Sequence, residues 1–308
     1  MTLSYFLPWV RIAKTNSAGL RDFVQGAIDA ARNDLKLKSG AANPPTGNGN
    51  PDEDIYQGAG KMLRKIVGST KDGGDGKRSD RMLLANEDIV PQLQSLFIAG
   101  TETTSSALCW AMYYLIKHPE AYARCRREAL KAAPTSEGVI STGEQLSKLV
   151  FCAAVFKEAA RLHPVIYFLF FHSTDKYIMQ TGLEVETGTS FGLLTHLPAM
   201  SDENFTRAAH FVPERWIDAE REEALLGEGA KEGQTAINHV PEAFMAFGSG
   251  PRICPGKDLS NNEGAMVLAM ICAQFDVSLA PEQVDPPEEE FQILSGPKDI
   301  KLLFKKKE

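Results

Sequence analysis

Apolar positions along this chain follow two periods. Over residues 17–37, Leu20, Phe23, Val24, Ala27, Ile28, Ala31 and Leu35 recur at three- and four-residue spacing. That is the stripe of a helix with one packing face. A short helix is expected over 55–67. A long one is expected from Asn86, a side chain suited to the N-cap, to Lys117; Glu87 and Asp88 fall in its first turn, where the dipole favours acids, and Pro91 sits near its start. Pro119 at the first helical position opens another, through Lys131. Ser141-Thr142-Gly143-Glu144 fits a capping box, and one helix is expected from there to about Leu162, stopped by Pro164. The period then changes. Residues 165–171 are a dense apolar and aromatic run, and 177–190 read as strand–turn–strand about Thr181-Gly182, with a second turn at Thr187-Gly188. A helix is expected over 258–275, with Leu259, Met266, Leu268, Ala269 and Ile271 available for packing. Closing strands over 291–304 and a charged tail from Lys305 complete the chain. Residues 39–60, 68–79 and 218–239 are polar or rich in Gly and Pro, and read as flexible loops. The fold class is mainly α with a small β subdomain.

Composition narrows the function classes. The chain has 308 residues, of which 43% are hydrophobic, enough for one large or two modest cores. A net charge of −7 gives no basic signature for nucleic acid. The five cysteines, Cys109, Cys125, Cys152, Cys254 and Cys272, are odd in number and scattered. That is no disulfide framework and suits a reducing compartment. No apolar run reaches the ~18 residues of a membrane span, and residues 1–10 lack the basic start and apolar core of a signal peptide.

Cys254 stands apart from the other cysteines, which read as small buried hydrophobes. It lies in Phe247-Gly248-Ser249-Gly250-Pro251-Arg252-Ile253-Cys254-Pro255-Gly256. The glycines allow backbone angles and close approach that a Cβ would forbid, and the prolines stiffen the loop. A helix begins near Lys257, and its N-terminus, with Arg252, favours a thiolate. Such a thiolate is a nucleophile or a metal ligand. The absence of a CxxC pair argues against zinc, and a single thiolate can be the axial ligand of a haem iron.

Two further stretches carry unusual residues. In Ala99-Gly100-Thr101-Glu102-Thr103-Thr104, glycine, threonine and an acid interrupt a long helix. A threonine hydroxyl bonded to the carbonyl four residues back can open the helix locally, and Glu102 with Thr103 could relay protons. An ordinary kink is the alternative. In Lys157-Glu158-Ala159-Ala160-Arg161-Leu162-His163-Pro164, Glu158 and Arg161 share a face at i,i+3 and can pair. Alone that pair means little.

Together these motifs resemble the cytochrome P450 family of haem-thiolate monooxygenases. The Cys254 loop matches its haem-binding pattern F-x-x-G-x-R-x-C-x-G. Ala99–Thr104 resembles its oxygen-activation motif. Glu158 and Arg161 resemble its E-x-x-R helix, and Phe211-Val212-Pro213-Glu214-Arg215-Trp216 resembles its F-x-P-E-R-W segment. The resemblance runs from about residue 17 onward and implies a single domain over 1–308, a cytochrome P450 fold incomplete at the N-terminus that starts at about the F/G-helix region. It implies haem b, iron protoporphyrin IX, bound through Cys254. Arg252 would anchor a propionate, Phe247 would pack near the thiolate, and Gly250 and Gly256 would shape the loop. His172 is the nearest match to a basic residue that is usually Arg in relatives, and would donate to a propionate or serve as a simple surface or core histidine. Thr103 with Glu102 would deliver protons. Glu158, Arg161 and Arg215 would form a structural network behind the haem loop.

The same resemblance implies insertion of one oxygen atom from O₂ into a small apolar, lipid-like substrate. Electrons would come from NADPH through a cytochrome P450 reductase or similar redox partner, at the cytosolic face of the endoplasmic reticulum membrane, with membrane contact through an N-terminal anchor that this chain lacks. Arg124, Arg126, Arg127 and Lys131 read as a solvated face, with docking of an acidic redox partner as the alternative. A haem-thiolate isomerase or dehydratase and an inactive fragment are the other readings. Because relatives carry helices that would cover this chain's apolar faces, the chain by itself is expected to fold poorly.

Overall fold

The computed structural model describes residue 25 and residues 86–136, 138–217, 240–291 and 294–307. The chain divides into two units, Met1–Thr101 and Glu102–Glu308. In the first, the described residues are Gln25, which is helical, and the opening half of helix α1 (Asn86–Lys117). The rest of the helices expected over 17–37 and 55–67, and the loops expected over 39–60, 68–79 and 218–239, lie outside the described residues. Pro91 lies inside α1, in its second turn, where it removes the amide that would bond to the Glu87 carbonyl, and the helix continues through it.

The second unit holds the remainder of α1, then α2 (Pro119–Ala132), α3 (Gly143–Ser147), α4 (Val150–Leu162), α5 (His196–Ala199) and α6 (Lys257–Gln274). Helix α6 packs against both α2 and α4. Its buried residues, Gly264, Ala265, Leu268, Ala269, Cys272 and Ala273, form one stripe at helical spacing. They are small because the partner helices come close: a Cβ at Gly264 would overlap the ring of Phe156. Trp110, Leu115, Phe151, Val155 and Phe156 fill the same core. Leu259 does not join it. It is 68% exposed, since nine residues before Leu268 is half a turn out of phase with the buried stripe.

The helix expected from the capping box to Leu162 is two helices. The N-cap is Thr142, whose hydroxyl accepts from the Gln145 amide at 3.2 Å while the Gln145 side chain accepts from the Thr142 amide at 3.1 Å. The box therefore runs from Thr142 to Gln145, and α3 ends at Ser147. At the restart, the N-cap residue Leu149 offers no side-chain acceptor. Glu128 of α2 supplies it instead: its two oxygens accept from the amides of Phe151 and Cys152, both at 2.8 Å. Helix α2 is not simply a solvated basic face. Its Arg124 lies 3.9 Å over the Phe151 ring and pairs with Glu214 at 3.2 Å.

The strands form two-stranded antiparallel sheets among the described residues. Strand β1 (Phe168–His172) starts later than the apolar run suggests; β2 (Tyr177–Ile178) pairs with β3 (Glu184–Val185) about the expected turn. Ser190 begins a strand of its own, β4 (Ser190–Leu194), which pairs with β1 so that Phe170 faces Gly192. Phe275 opens β5 (Phe275–Leu279) rather than closing a helix. Strands β6 (Glu289–Phe291) and β7 (Ser295–Pro297) form a second closing pair, and β8 (Leu302–Lys306) pairs with β5. Lys305 and Lys306, read from sequence as a tail, are thus strand residues opposite Asp276 and Phe275. Phe275 is β-compatible and aromatic; its pairing with Lys306 of β8 and its edge-on ring contact with Phe304 hold it in the strand over its helical neighbours.

Candidate functional site

The Cys254 loop is fixed at its base and open at its thiol. The Cys254 amide donates to the Phe247 carbonyl at 2.8 Å, and the Gly248 amide to the Met245 carbonyl at 2.9 Å. Gly248 and Gly250 have φ of 71° and 65°, the left-handed region where a side chain is strained. Gly250, Pro251 and Arg252 form a single 3-10 turn, and Arg252 is exposed. Gly256 is the N-cap of α6, and a Cβ on it would stand 3.7 Å from Cys254 Sγ. The thiol is therefore beside the helix N-terminus, and it is free and exposed. Phe247 is half-buried against the main core and meets Phe244 edge-on at 6.3 Å. The loop hangs on the core through this ring.

The other cysteines are less accessible: Cys109 is half-buried, and burial raises its thiol pKa. Cys125, Cys152 and Cys272 are buried where α2, α4 and α6 meet. Burial pushes the Cys152 thiol up to about 12, and that of Cys125 well above its ordinary value. Cys272 is also held up, first by its hydrogen bond with Cys125 and then by burial. Among the described residues no group of His, Cys, Asp and Glu is placed to hold a metal ion. Of the described cysteines, Cys254 alone offers an exposed sulfur on a rigid loop.

Glu102 and Thr103 lie on one turn of α1, with Glu102 exposed and Thr103 half-buried. Just before them, the Thr101 hydroxyl donates to the Phe97 carbonyl at 2.8 Å, a four-back bond of the expected kind, while α1 runs on as helix through the stretch. Just after, the buried Thr104 hydroxyl donates to Ser260 Oγ at 3.2 Å. Ser260 is on the first turns of α6, so the turn carrying Glu102 and Thr103 is attached to the helix that Cys254 leads into. Ser260 escaped sequence reading. Its only signal was a hydroxyl close behind Cys254.

Glu158 is the centre of a buried cluster. Its Oε1 accepts from Arg161 Nη2 at 2.8 Å, Arg215 Nε at 3.0 Å and the Val212 amide at 3.0 Å. Its Oε2 accepts from Arg161 Nε at 2.9 Å and Trp216 Nε1 at 2.8 Å. The arginines spend their other donors on backbone: Arg161 on the carbonyls of Ala199, Ala208 and His210, Arg215 on those of Thr206 and Arg207. Burial lowers the pKa of Arg215 against the opposing pull of Glu158. Glu158, Arg161 and Arg215 meet as the sequence suggested; Trp216 and the carbonyl set were not foreseen, although Trp216 stood in the quoted segment.

His172 ends β1, exposed, with Nδ1 hydrogen-bonded to Ser190 Oγ at 3.0 Å. The strand residue that meets the Cys254 loop is Leu169, whose Cδ1 is 3.6 Å from where a Cβ on Gly248 would lie. By strand alternation His172 shares the other face, with Phe168 and Phe170. Among the described residues, the hydrogen bond of His172 goes to Ser190 and not to the loop.

A rigid loop with an exposed thiol at a helix N-terminus, and a space that Cβ atoms would invade, fits a haem held through sulfur. The comparisons with known proteins agree. The cytochrome P450 family model matches residues 16–304. A probable mitochondrial cytochrome P450 12b2 of Drosophila melanogaster is 29% identical over 72% of this chain and 41% of its own length. Cytochrome P450 CYP99A1 of Sorghum bicolor is 30% identical over 79% of this chain and 44% of its own, and the mitochondrial sterol 26-hydroxylase of Oryctolagus cuniculus is 29% identical over 65% and 35%. The chain thus spans less than half the length of these relatives. The crystal structure of a cytochrome P450, CYP102L1, superposes with a TM-score of 0.68 at 21% identity, covering 96% of this chain and 57% of that one, and shares its fold. With its fold, its cysteine loop and nearly its whole length matched, this chain belongs to the cytochrome P450 family.

Proposed function

We propose that this chain carries the thiolate half of a haem monooxygenase site, acting on a small apolar substrate. The observation that carries the reading is Cys254, exposed on a loop pinned by its amide to Phe247 at 2.8 Å. Cys254 Sγ is the ligand for the iron of haem b. Arg252, exposed in the same loop, would be the cation for a propionate, and Phe247, whose carbonyl accepts from the Cys254 amide, would pack near the bound thiolate. Gly250 and Gly256 keep side chains out of the space beside the thiol. When bound, the haem supplies O₂ activation, which a thiolate ligand favours. Glu102 and Thr103 would deliver protons to that chemistry, and Thr104 fixes their turn through Ser260. Glu158, Arg161 and Arg215 act structurally. His172 is assigned to a propionate only by the resemblance, and its place on the outer face of β1 gives that role no geometric support.

Electrons come, in this reading, from NADPH through a flavoprotein reductase at the endoplasmic reticulum membrane. Among the described residues no helix is long and apolar enough to cross a membrane. The fly and rabbit relatives are named as mitochondrial, so the redox partner and compartment are the finer part of the proposal. The rabbit relative's name makes a sterol one member of the apolar substrate class to try first.

The test is the carbon-monoxide difference spectrum of the dithionite-reduced chain supplied with haem, beside Cys254→Ala. A strongly red-shifted Soret band that the substitution removes supports thiolate ligation. No such band, or one indifferent to the substitution, overturns the reading and leaves a chain without a working site.

A further inference from the structure

On the α2 side of the second unit, away from Cys254 in sequence and fold element, lies a cavity of about 300 Å³ that the haem chemistry does not use. It opens where the end of α1, the first turns of α2, strand β5 and Lys307 converge. Its walls are apolar, from Leu115, Ile116, Pro119 and Val277. Its polar lining is Arg126, Lys307 and Asp276, with Tyr122 beside them. The Tyr122 hydroxyl is already committed to the Phe275 carbonyl at 2.9 Å.

The charges in this cavity do not balance. Asp276 is held by Lys307 at 2.6 Å, while Arg126 Nη1 stands 3.9 Å from the same carboxylate. Arg126 Nη1 is buried and has no hydrogen-bond acceptor among the described residues. A buried guanidinium donor without an acceptor is costly, and an anionic oxygen is its best partner. Two cations face one carboxylate, so an entering anion meets net attraction despite the chain's overall −7 charge.

We propose that this cavity binds a small amphipathic carboxylate, its carboxylate on Arg126 Nη1 and its apolar body against Ile116, Pro119 and Val277. The volume is at the small end of ligand pockets. It suits a body the size of a phenylalkyl group and excludes a long-chain lipid lying wholly inside. The basic residues of α2 therefore divide by role: Arg124 is spent on Glu214 and Phe151, and Arg126 faces the cavity. The assignment does not depend on Cys254 or on the monooxygenase reading.

The probes are 4-phenylbutyrate, its neutral amide and a diazirine photolabel of the same acid, used on the full chain with haem supplied. Calorimetry should show saturable binding of the acid, with the amide at least tenfold weaker. Photolabel should fall on the 115–126 peptide and be competed by unlabelled acid. Arg126→Gln should weaken the acid about tenfold, and Val277→Trp, which fills the cavity with Arg126 intact, should abolish labelling. Lys117→Gln, a cation paired outside the cavity with Asp285, should change nothing. Far-ultraviolet circular dichroism checks that each variant is folded. Equal binding of acid and amide, labelling elsewhere on the chain, or undiminished affinity in Arg126→Gln would each overturn the assignment. Should Val277→Trp fail to fold, the acid–amide comparison and Arg126→Gln still decide it.

Discussion

Thr104 donates its hydroxyl hydrogen bond to Ser260 across 3.2 Å, and in doing so joins the motif turn of α1 to the helix that Cys254 leads into. The bond is a neutral pair at a part-buried contact, of the kind worth about 1 kcal/mol net. Ser260→Ala should therefore lower stability to urea by about 1 kcal/mol, and Thr104→Val by a similar amount. The double variant should cost little more than either single change, because both remove the same bond. A cycle of urea midpoints on the four proteins measures this. Additive losses would show that the hydroxyls act independently.

Glu158 tests differently, because its removal strands buried cations. Both Arg161 and Arg215 have fully buried side chains on this carboxylate. Breaking a buried ion pair by deleting one partner typically costs about 3–5 kcal/mol. Glu158→Ala should reach that range or prevent folding. Glu158→Gln keeps one acceptor oxygen, for either Trp216 or the Val212 amide, but leaves the guanidinium charges uncompensated, and should lie between. Soluble yield and thermal midpoint order the three proteins. A Glu158→Ala chain as stable as the parent would remove the cluster from the fold's support.

The elements legible in the sequence were those whose signal is local. The start of α2 at Pro119 and the end of α4 before Pro164 were set by single residues with fixed backbone demands. The Cys254 loop was legible because its glycines and prolines are themselves the geometry. What escaped was decided by partners far along the chain. Nothing near Leu149 announces that Glu128 will cap α4, so two helices read as one. Phe275 continues a helical run and becomes a strand only because β8 lies beside it. Arg124 looks solvated until Phe151 and Glu214 are brought under it. In the site, Cys254 was readable alone, but the face on which His172 ends depends on the pairing of β1 with β4.

Gly264 marks the closest approach of α6 to α4. A Cβ there would overlap the ring of Phe156, which is fully buried. In an isolated helix, Gly→Ala is worth about 1 kcal/mol in favour of alanine. Overpacking a core typically costs about 1–3 kcal/mol, and here the obstruction is a ring with no room to leave. Gly264→Ala should thus be net destabilising by about 1–2 kcal/mol, against its helix propensity. Adding Phe156→Leu should recover part of the loss. A more stable Gly264→Ala chain, by chemical denaturation, would show that the helices can separate at little cost.

Glu289 gathers the side chains of Tyr167 at 2.9 Å, Ser295 at 2.7 Å and His163 at 3.5 Å, and so ties the β6–β7 pair to the end of α4. Burial pushes its carboxyl up, but the nearby His163 and the hydrogen bonds from Ser295 and Tyr167 outweigh it and hold the group below its ordinary value of 4.5. A carboxyl depressed in the folded state stabilises above its unfolded pKa, and that contribution fades as pH falls through the folded value. Stability should drop on acidification below about pH 4.5, and Glu289→Gln should make that drop shallower. Urea midpoints across pH 3–7 for both proteins give the slope. Identical slopes would mean that Glu289 titrates alike in the folded and unfolded chains.

Glu128 should show the opposite sign. Burial raises its carboxyl above 4.5, and the two amide bonds from Phe151 and Cys152 offset that only in part. A group whose folded pKa is raised binds its proton more tightly in the folded chain. Its contribution is therefore greatest below the unfolded pKa and declines as pH climbs through the folded value. Glu128→Gln removes this decline, so the stability difference between parent and variant should move against the parent as pH rises from 4.5. The cap itself is a separate quantity. Glu128→Ala leaves two buried amides at the start of α4 without acceptors, at roughly 1–3 kcal/mol each, and should destabilise at every pH. Glutamine, with a single carbonyl oxygen, loses one of the two amide bonds at every pH but removes the titration, whereas alanine loses both bonds; the pH dependence of the difference therefore reads the charge, and the pH-independent offset reads the cap. A glutamine variant with the parent's pH profile would place the Glu128 proton on the same footing folded and unfolded. An alanine variant as stable as the parent would mean that α4 finds another acceptor for its first turn.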